Sequence, residues 1–226
     1  MNAPFDQLEA RPLYPNHIYG LWSTKFSDEQ LQFLWDEINA IQDSDFKREQ
    51  NPSKRDELVG HLEHEYTLSP EVHDRLDELL QPLLEVQISQ NKSFQYKTAV
   101  CDQDWPIRLE KSWVNFQKKY EYNPVHHHTG LFSFVLWLKI PYNRPDEDNY
   151  PNAPKKSVGA MNGCFHTFFT DQFGTICDMS VALDPTYDNI CLMFPSEAKH
   201  CVYPFYTSDE YRISVSGNFA YRTKTK

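Results

Sequence analysis

Two hydrophobic periods divide the chain. In the first part, apolar residues recur every three to four positions, and Leu31, Leu34, Trp35 and Ile38 fall on one helical face. Ahead of them, Ser27-Asp28-Glu29-Gln30 has the capping-box pattern, in which a Ser hydroxyl and a Gln side chain satisfy each other's backbone N–H. A helix to about residue 43 is predicted. The charged stretch DSDFKREQNPSKRDEL reads as a solvated loop. Ser69-Pro70-Glu71 then opens a second helix, since Pro at the first helical position lacks only an N–H that would have no partner there. Leu76, Leu79, Leu80, Leu83 and Leu84 form its core-facing stripe.

From about residue 106 the period shortens to two, with short apolar runs broken by Pro, Asn, Asp and Gly. Strands are predicted over 107–119, 131–140, 163–170, 177–183, 189–194, 200–205 and 212–221. Seven strands without intervening helices imply an antiparallel sandwich or barrel, with the two helices packed on one outer face. The longest loop, dense in Pro and charge, covers residues 143–158. The whole reads as a single domain over 1–226, with 1–105 a mainly helical support and 106–226 the β core.

Composition narrows the function. The chain carries 15 Phe, 13 Tyr and 5 Trp but only 7 Gly, which suits a stiff, aromatic, sheet-rich core. Its net charge of −10, from 22 basic and 32 acidic residues, repels a phosphate backbone, so no nucleic-acid partner is expected. There is no apolar run of the roughly 20 residues that span a bilayer, and MNAPFDQLEARPLYP lacks a basic and then apolar leader. No membrane partner and a cytoplasmic location are expected. Five cysteines, odd in number and without a C-x-x-C pair, support neither a disulfide framework nor a zinc finger, and most read as small core residues.

Three features carry candidate chemistry. In His126-His127-His128, residues i and i+2 of an extended segment share a face, so His126 and His128 can chelate one metal ion while His127 points away; the same cluster could equally be loop filling. His200 begins a strand after the Pro turn of Phe194-Pro195-Ser196 and could return to the same cavity. The last strand alternates strictly: Arg212, Ser214, Ser216 and Asn218 share one face, Ile213, Val215 and Phe219 the other. If the polar face lies inside a barrel, Arg212 offers a bidentate fork for a carboxylate and Ser214 a hydroxyl.

Ser112-Trp113-Val114-Asn115, Asn123-x-x-His126-x-His128-x-Gly130-x-x-Ser133-Phe134-Val135, Phe194-Pro195-Ser196 with His200, and Arg212-Ile213-Ser214-Val215-Ser216-x-Asn218 together resemble the 2-oxoglutarate and Fe(II)-dependent oxygenases of bacteria and their phages, a His-x-His variant of the prolyl-hydroxylase-like superfamily. The resemblance covers roughly residues 107–221. It implies a double-stranded β-helix, a jelly-roll-like barrel braced by helices, with Fe(II) as cofactor and 2-oxoglutarate as co-substrate. His126 and His200 would be metal ligands, and Arg212 with Ser214 would bind the distal carboxylate of 2-oxoglutarate. The superfamily usually places a carboxylate two residues after its first His, where this chain has His128; the resemblance implies His128 as third ligand, with Asp171 or Asp178 as the alternative source. Trp113, Asn115 and Asn218 are candidate lining residues, as are Trp137 and Phe168, although packing in the sheet core is the stronger reading for Trp113, Asn115, Trp137 and Phe168. The implied activity is hydroxylation of a small-molecule or peptide substrate with release of succinate and CO2. Two readings compete: a cupin-like three-His oxygenase that uses no 2-oxoglutarate, and a non-catalytic jelly-roll binding module. Substrate and oligomeric state are not legible.

Overall fold

The computed structural model describes residues 11–12, 20–44, 59–90, 106–151, 161–171 and 173–222. The two helices form as the pattern predicts. Helix α1 (Asp28–Asp43) begins on the capping box: Gln30 N donates to Ser27 Oγ at 3.2 Å, and Ser27 N to Gln30 Oε1 at 2.9 Å. Helix α2 (Pro70–Gln90) starts on the proline and buries all five leucines of its stripe. Glu37 of α1 ties the two together by accepting from Ser69 N (2.7 Å) and Ser69 Oγ (2.8 Å), just before α2 begins.

Eleven strands are assigned among the described residues: β1 (Arg11–Pro12), β2 (Trp22–Lys25), β3 (His64–Thr67), β4 (Ile107–Gln117), β5 (Asn123–His126), β6 (Phe132–Lys139), β7 (Phe165–Thr170), β8 (Ile176–Val181), β9 (Ile190–Pro195), β10 (His200–Val202) and β11 (Arg212–Tyr221). The larger sheet runs β1-β2-β9-β6-β11-β4-β3 and the smaller β5-β10-β7-β8, all antiparallel. From β4 onward the chain keeps crossing between them, which winds it into the double-stranded β-helix. The first hundred residues supply strands as well as helices: β2 and β3 extend the larger sheet on its two sides. These short strands went unread, four residues being too few for a clear period of two. The 143–158 loop holds a one-turn helix, α3 (Arg144–Asp148); its residues 152–158 lie outside the described set, as does Cys101. Of the other cysteines, Cys164, Cys191 and Cys201 are buried and Cys177 is partly so. No described helix is long and apolar enough to cross a membrane.

The larger sheet separates two cores. One face carries Val114, Phe116, Leu136, Ile213, Val215 and Phe219 against both helices; the other carries Val135, Trp137, Leu192 and Phe194 toward Phe165 of the smaller sheet. Each β11 residue therefore either packs under the helices or faces the barrel. Gly217 lies where β11 meets β4 and β6: a Cβ there would stand 2.5 Å from Lys111 O and 2.7 Å from Phe134 Cε1. Gly217→Ala is expected to destabilise the fold by about 1–3 kcal/mol through overpacking, read as a lower thermal midpoint by circular dichroism; an unchanged midpoint would show that this junction yields freely.

Candidate active site

The site grows from one strand pairing. In the β5–β10 ladder His126 stands directly across from His200, so both imidazoles leave the smaller sheet on the same side. His128 follows two residues on and is held by its backbone, His128 N donating to Ser196 O at 2.9 Å. The three rings converge: centroids are 4.3 Å apart for His126 and His200 and 5.0 Å for each other pair, and one ring nitrogen from each lies within 4.8 Å of the others. His127 turns outward, where Lys199 Nζ sits 2.7 Å from its Nδ1.

The protein sets the tautomers. His126 Nδ1 lies 2.7 Å from Pro124 O and His200 Nδ1 2.9 Å from Ala198 O; an Nδ1–H donating to each carbonyl leaves both Nε2 lone pairs free. Burial also keeps the rings neutral. Desolvation lowers the pKa of all three, that of His128 to about 4 and that of His200 to about 3, with mutual repulsion among the histidines adding to the effect.

The larger sheet supplies the facing wall. Register pairs Arg212 with Gln117, Ser214 with Asn115 and Ser216 with Trp113, and Ser214 also pairs with Trp137 on β6. The polar face of β11 therefore points into the barrel. Arg212, Ser214, Ser216, Trp113 and Asn115 join the three histidines around a hollow of about 540 Å³, closed by Val135, Trp137, Phe165 and Phe194. Arg212 is 2 % exposed. Its Nη1 donates to Tyr142 Oη (2.7 Å) and Gly163 O (3.0 Å), and its Nη2 to Gln117 Oε1. Gly163 can present that carbonyl because its φ is +65° and a Cβ would meet the Tyr142 ring at 2.6 Å. All three acceptors are neutral, and no carboxylate among the described residues forms an ion pair with Arg212. Ser214 Oγ and Ser216 Oγ accept from Asn115 Nδ2 at 3.4 and 3.3 Å.

A second hollow of about 780 Å³ opens beside the first, and the two share Trp113, Asn123, His126 and His128. Asn218 lines this outer one, its Oδ1 accepting from Ser133 Oγ at 2.9 Å. The alternative carboxylates are elsewhere. Asp178 pairs with His166 at 3.5 Å, and Asp171 Oδ1 caps the β7–β8 turn by accepting from Phe173 N and Thr175 N. Among the described residues, the group able to hold a metal here is histidine alone. Phe168 is not a lining residue; its ring meets His166 on the outside of the smaller sheet. Sequence reasoning missed Gln117, Tyr142 and Glu65. Gln117 could have been found from the alternation Trp113-Asn115-Gln117 on β4, whereas Tyr142 reaches the site from the start of the Pro-rich loop, where no periodicity marks it.

Over residues 111–218 the chain matches the family model described as "Putative 2OG-Fe(II) oxygenase". The match spans just under half of the chain and runs from β4 to β11, the stretch that carries the three histidines and Arg212. Among solved structures, the chain is similar to a prolyl-4-hydroxylase of Pseudomonas putida, at 15 % identity over 91 % of this chain and 95 % of that one, with a TM-score of 0.53. It is also similar to a Trichoplax adhaerens prolyl hydroxylase solved with a hypoxia inducible factor oxygen degradation domain peptide fragment, at 12 % identity over 90 % and 84 %, TM-score 0.50. At such identities the likeness is one of fold, the double-stranded β-helix. No curated protein matches the sequence. The family's cofactor and co-substrate suit these residues: three neutral imidazoles with free lone pairs are donors for Fe(II), and a buried guanidinium with only neutral partners suits dianionic 2-oxoglutarate.

Glu65 gives the site a second buried ionisable group. It pairs across β3–β4 with Asn115, lines the outer hollow and is 1 % exposed. Burial, with the Glu121 charge second, pushes its carboxyl from 4.5 up to about 7. The unfolded chain releases this proton near pH 4.5 and the folded one near 7, so the linked stability is complete below pH 4.5 and lost as pH rises through 7. Glu65→Gln removes that loss. Relative to wild type, it is expected to gain up to about 3 kcal/mol at pH 8 and far less at pH 5. Thermal unfolding at the two pH values checks this, and equal gains at both would contradict it.

Proposed function

We propose that the chain is an Fe(II)- and 2-oxoglutarate-dependent hydroxylase in which His126, His128 and His200 hold the metal and Arg212, with Ser214, holds the distal carboxylate of the co-substrate. The observation that carries this reading is a buried Arg212 with no carboxylate partner among the described residues, set in one hollow with three convergent neutral histidines. A guanidinium removed from water is costly unless an anion offsets it, and the co-substrate is such an anion. When bound, the iron and 2-oxoglutarate supply the oxidising power, ending in succinate, CO2 and a hydroxylated small molecule or peptide.

The chain's own residues do the rest. Tyr142, Gly163 and Gln117 fix the guanidinium plane through three of its five N–H groups; among the described residues nothing else bonds to Nε–H or the second Nη2–H, and both are left for the co-substrate's carboxylate. Pro124 O and Ala198 O hold the two imidazoles in their metal-binding tautomers. Trp137, Phe165 and Phe194 exclude water from the inner hollow. Three neutral ligands leave the metal site one charge more positive than a two-His-one-carboxylate set, which favours a dianionic co-substrate. The all-histidine set also fits a cupin-like oxygenase without 2-oxoglutarate; Arg212 is what favours the first reading.

Anaerobic reconstitution with Fe(II), titrated with 2-oxoglutarate while the visible metal-to-ligand charge-transfer band is recorded, tests it. The band is expected in wild type, and Arg212→Ala is expected to need at least about 30-fold more co-substrate, the loss of roughly 2 kcal/mol or more. Iron binding without a band, or equal demand in the variant, would contradict the assignment.

A further inference from the structure

The outer hollow is lined by two residues whose buried side-chain oxygens have no hydrogen-bond partner among the described residues. Glu65 Oε2 and Asn123 Oδ1 are both buried without a hydrogen-bond partner, and both residues line this hollow together with His126, His128 and Trp113. Buried polar atoms are nearly always paired, because an unpaired one loses its water and gains nothing in return. Two unpaired oxygens on residues that line one cavity point to a missing donor.

The hollow's own cation does not supply it. Lys111 lines the same space but is exposed and forms no ion pair with Glu65 among the described residues. Gly60 leaves room for the Asn123 oxygen: a Cβ at residue 60 would stand 2.5 Å from Asn123 Oδ1. The Trp113 indole lines the same hollow, and an indole ring attracts a cation. Glu121, whose charge acts on Glu65, makes this corner of an already acidic protein still more attractive to positive charge.

We propose that this corner is the substrate's recognition subsite, and that Glu65 and Asn123 receive a protonated amine or guanidinium of the substrate beside Trp113. The proposal rests on the oxygenase reading for the word substrate, and names the class: a cationic nitrogen compound or a peptide with a basic side chain. Glu65 is then a specificity residue. The co-substrate's pocket, with Arg212, selects an anion, and the adjoining one selects a cation, so neither compound is drawn to the other's place.

n-Propylguanidinium and n-propylurea have nearly the same shape and differ in charge, and their binding to the anaerobic Fe(II)/2-oxoglutarate-loaded protein can be compared by titration calorimetry at pH 8, where Glu65 is ionised. Wild type is expected to bind the cation at least about tenfold more tightly than the urea, and Glu65→Gln to lose that preference while keeping the charge-transfer band and its 2-oxoglutarate demand. Because Glu65→Gln is isosteric, a cooperative thermal transition shows that it has folded. Equal binding of the two probes by wild type, or an unchanged preference in the variant, would overturn the proposal. A protein that shows the cation preference but no charge-transfer band would support the subsite and refute the oxygenase reading.

Discussion

The antiparallel pairing of β5 with β10 is the constraint on which the site depends. It sets His126 across from His200, and a slip of one residue would send one imidazole to the outside of the smaller sheet. Three imidazoles with nitrogens inside 4.8 Å of one another cannot be held by local preference. They are held because β10 is also paired with β7, because two backbone carbonyls take the Nδ1 protons, and because His128 is fixed to Ser196. The same burial that keeps the rings neutral also excludes the water that would compete for a metal.

Electrostatics then divide the interior. The inner hollow ends on a buried guanidinium tied to neutral groups, and the outer one on a buried carboxyl with an unpaired oxygen. Each is a group that folding alone does not stabilise. Natural chains retain such groups where binding a ligand repays the desolvation, so the two departures from a well-satisfied core fall on either side of the histidines.

Much of this was legible in the residues. The capping box at Ser27, the proline start at Pro70 and the leucine stripe of α2 gave both long helices, because each signal is local. The alternation of β11 divided Arg212, Ser214 and Ser216 from Ile213, Val215 and Phe219, as the structure places them. Which face was the interior could not be read from one strand; it followed once helices α1 and α2 covered the apolar side. What stayed hidden is non-local. Glu65 reaches the site through β3, a four-residue strand that joins β4 across a long separation in the chain, and Tyr142 reaches Arg212 from a loop with no periodic signal. The third ligand was ambiguous on paper because Asp171 and Asp178 had no known place; their bonds to a turn and to His166 remove them.

The central claim is that three histidines, and no carboxylate side chain, hold the metal. X-ray absorption at the iron K-edge of the anaerobic Fe(II)/2-oxoglutarate complex tests it most directly, since imidazole rings leave multiple-scattering features that carboxylates do not. A three-histidine site gives a fit with three imidazoles, falling to two in His128→Ala. Two imidazoles in wild type, unchanged in the variant, would contradict it and require a carboxylate that the described fold does not bring to the site.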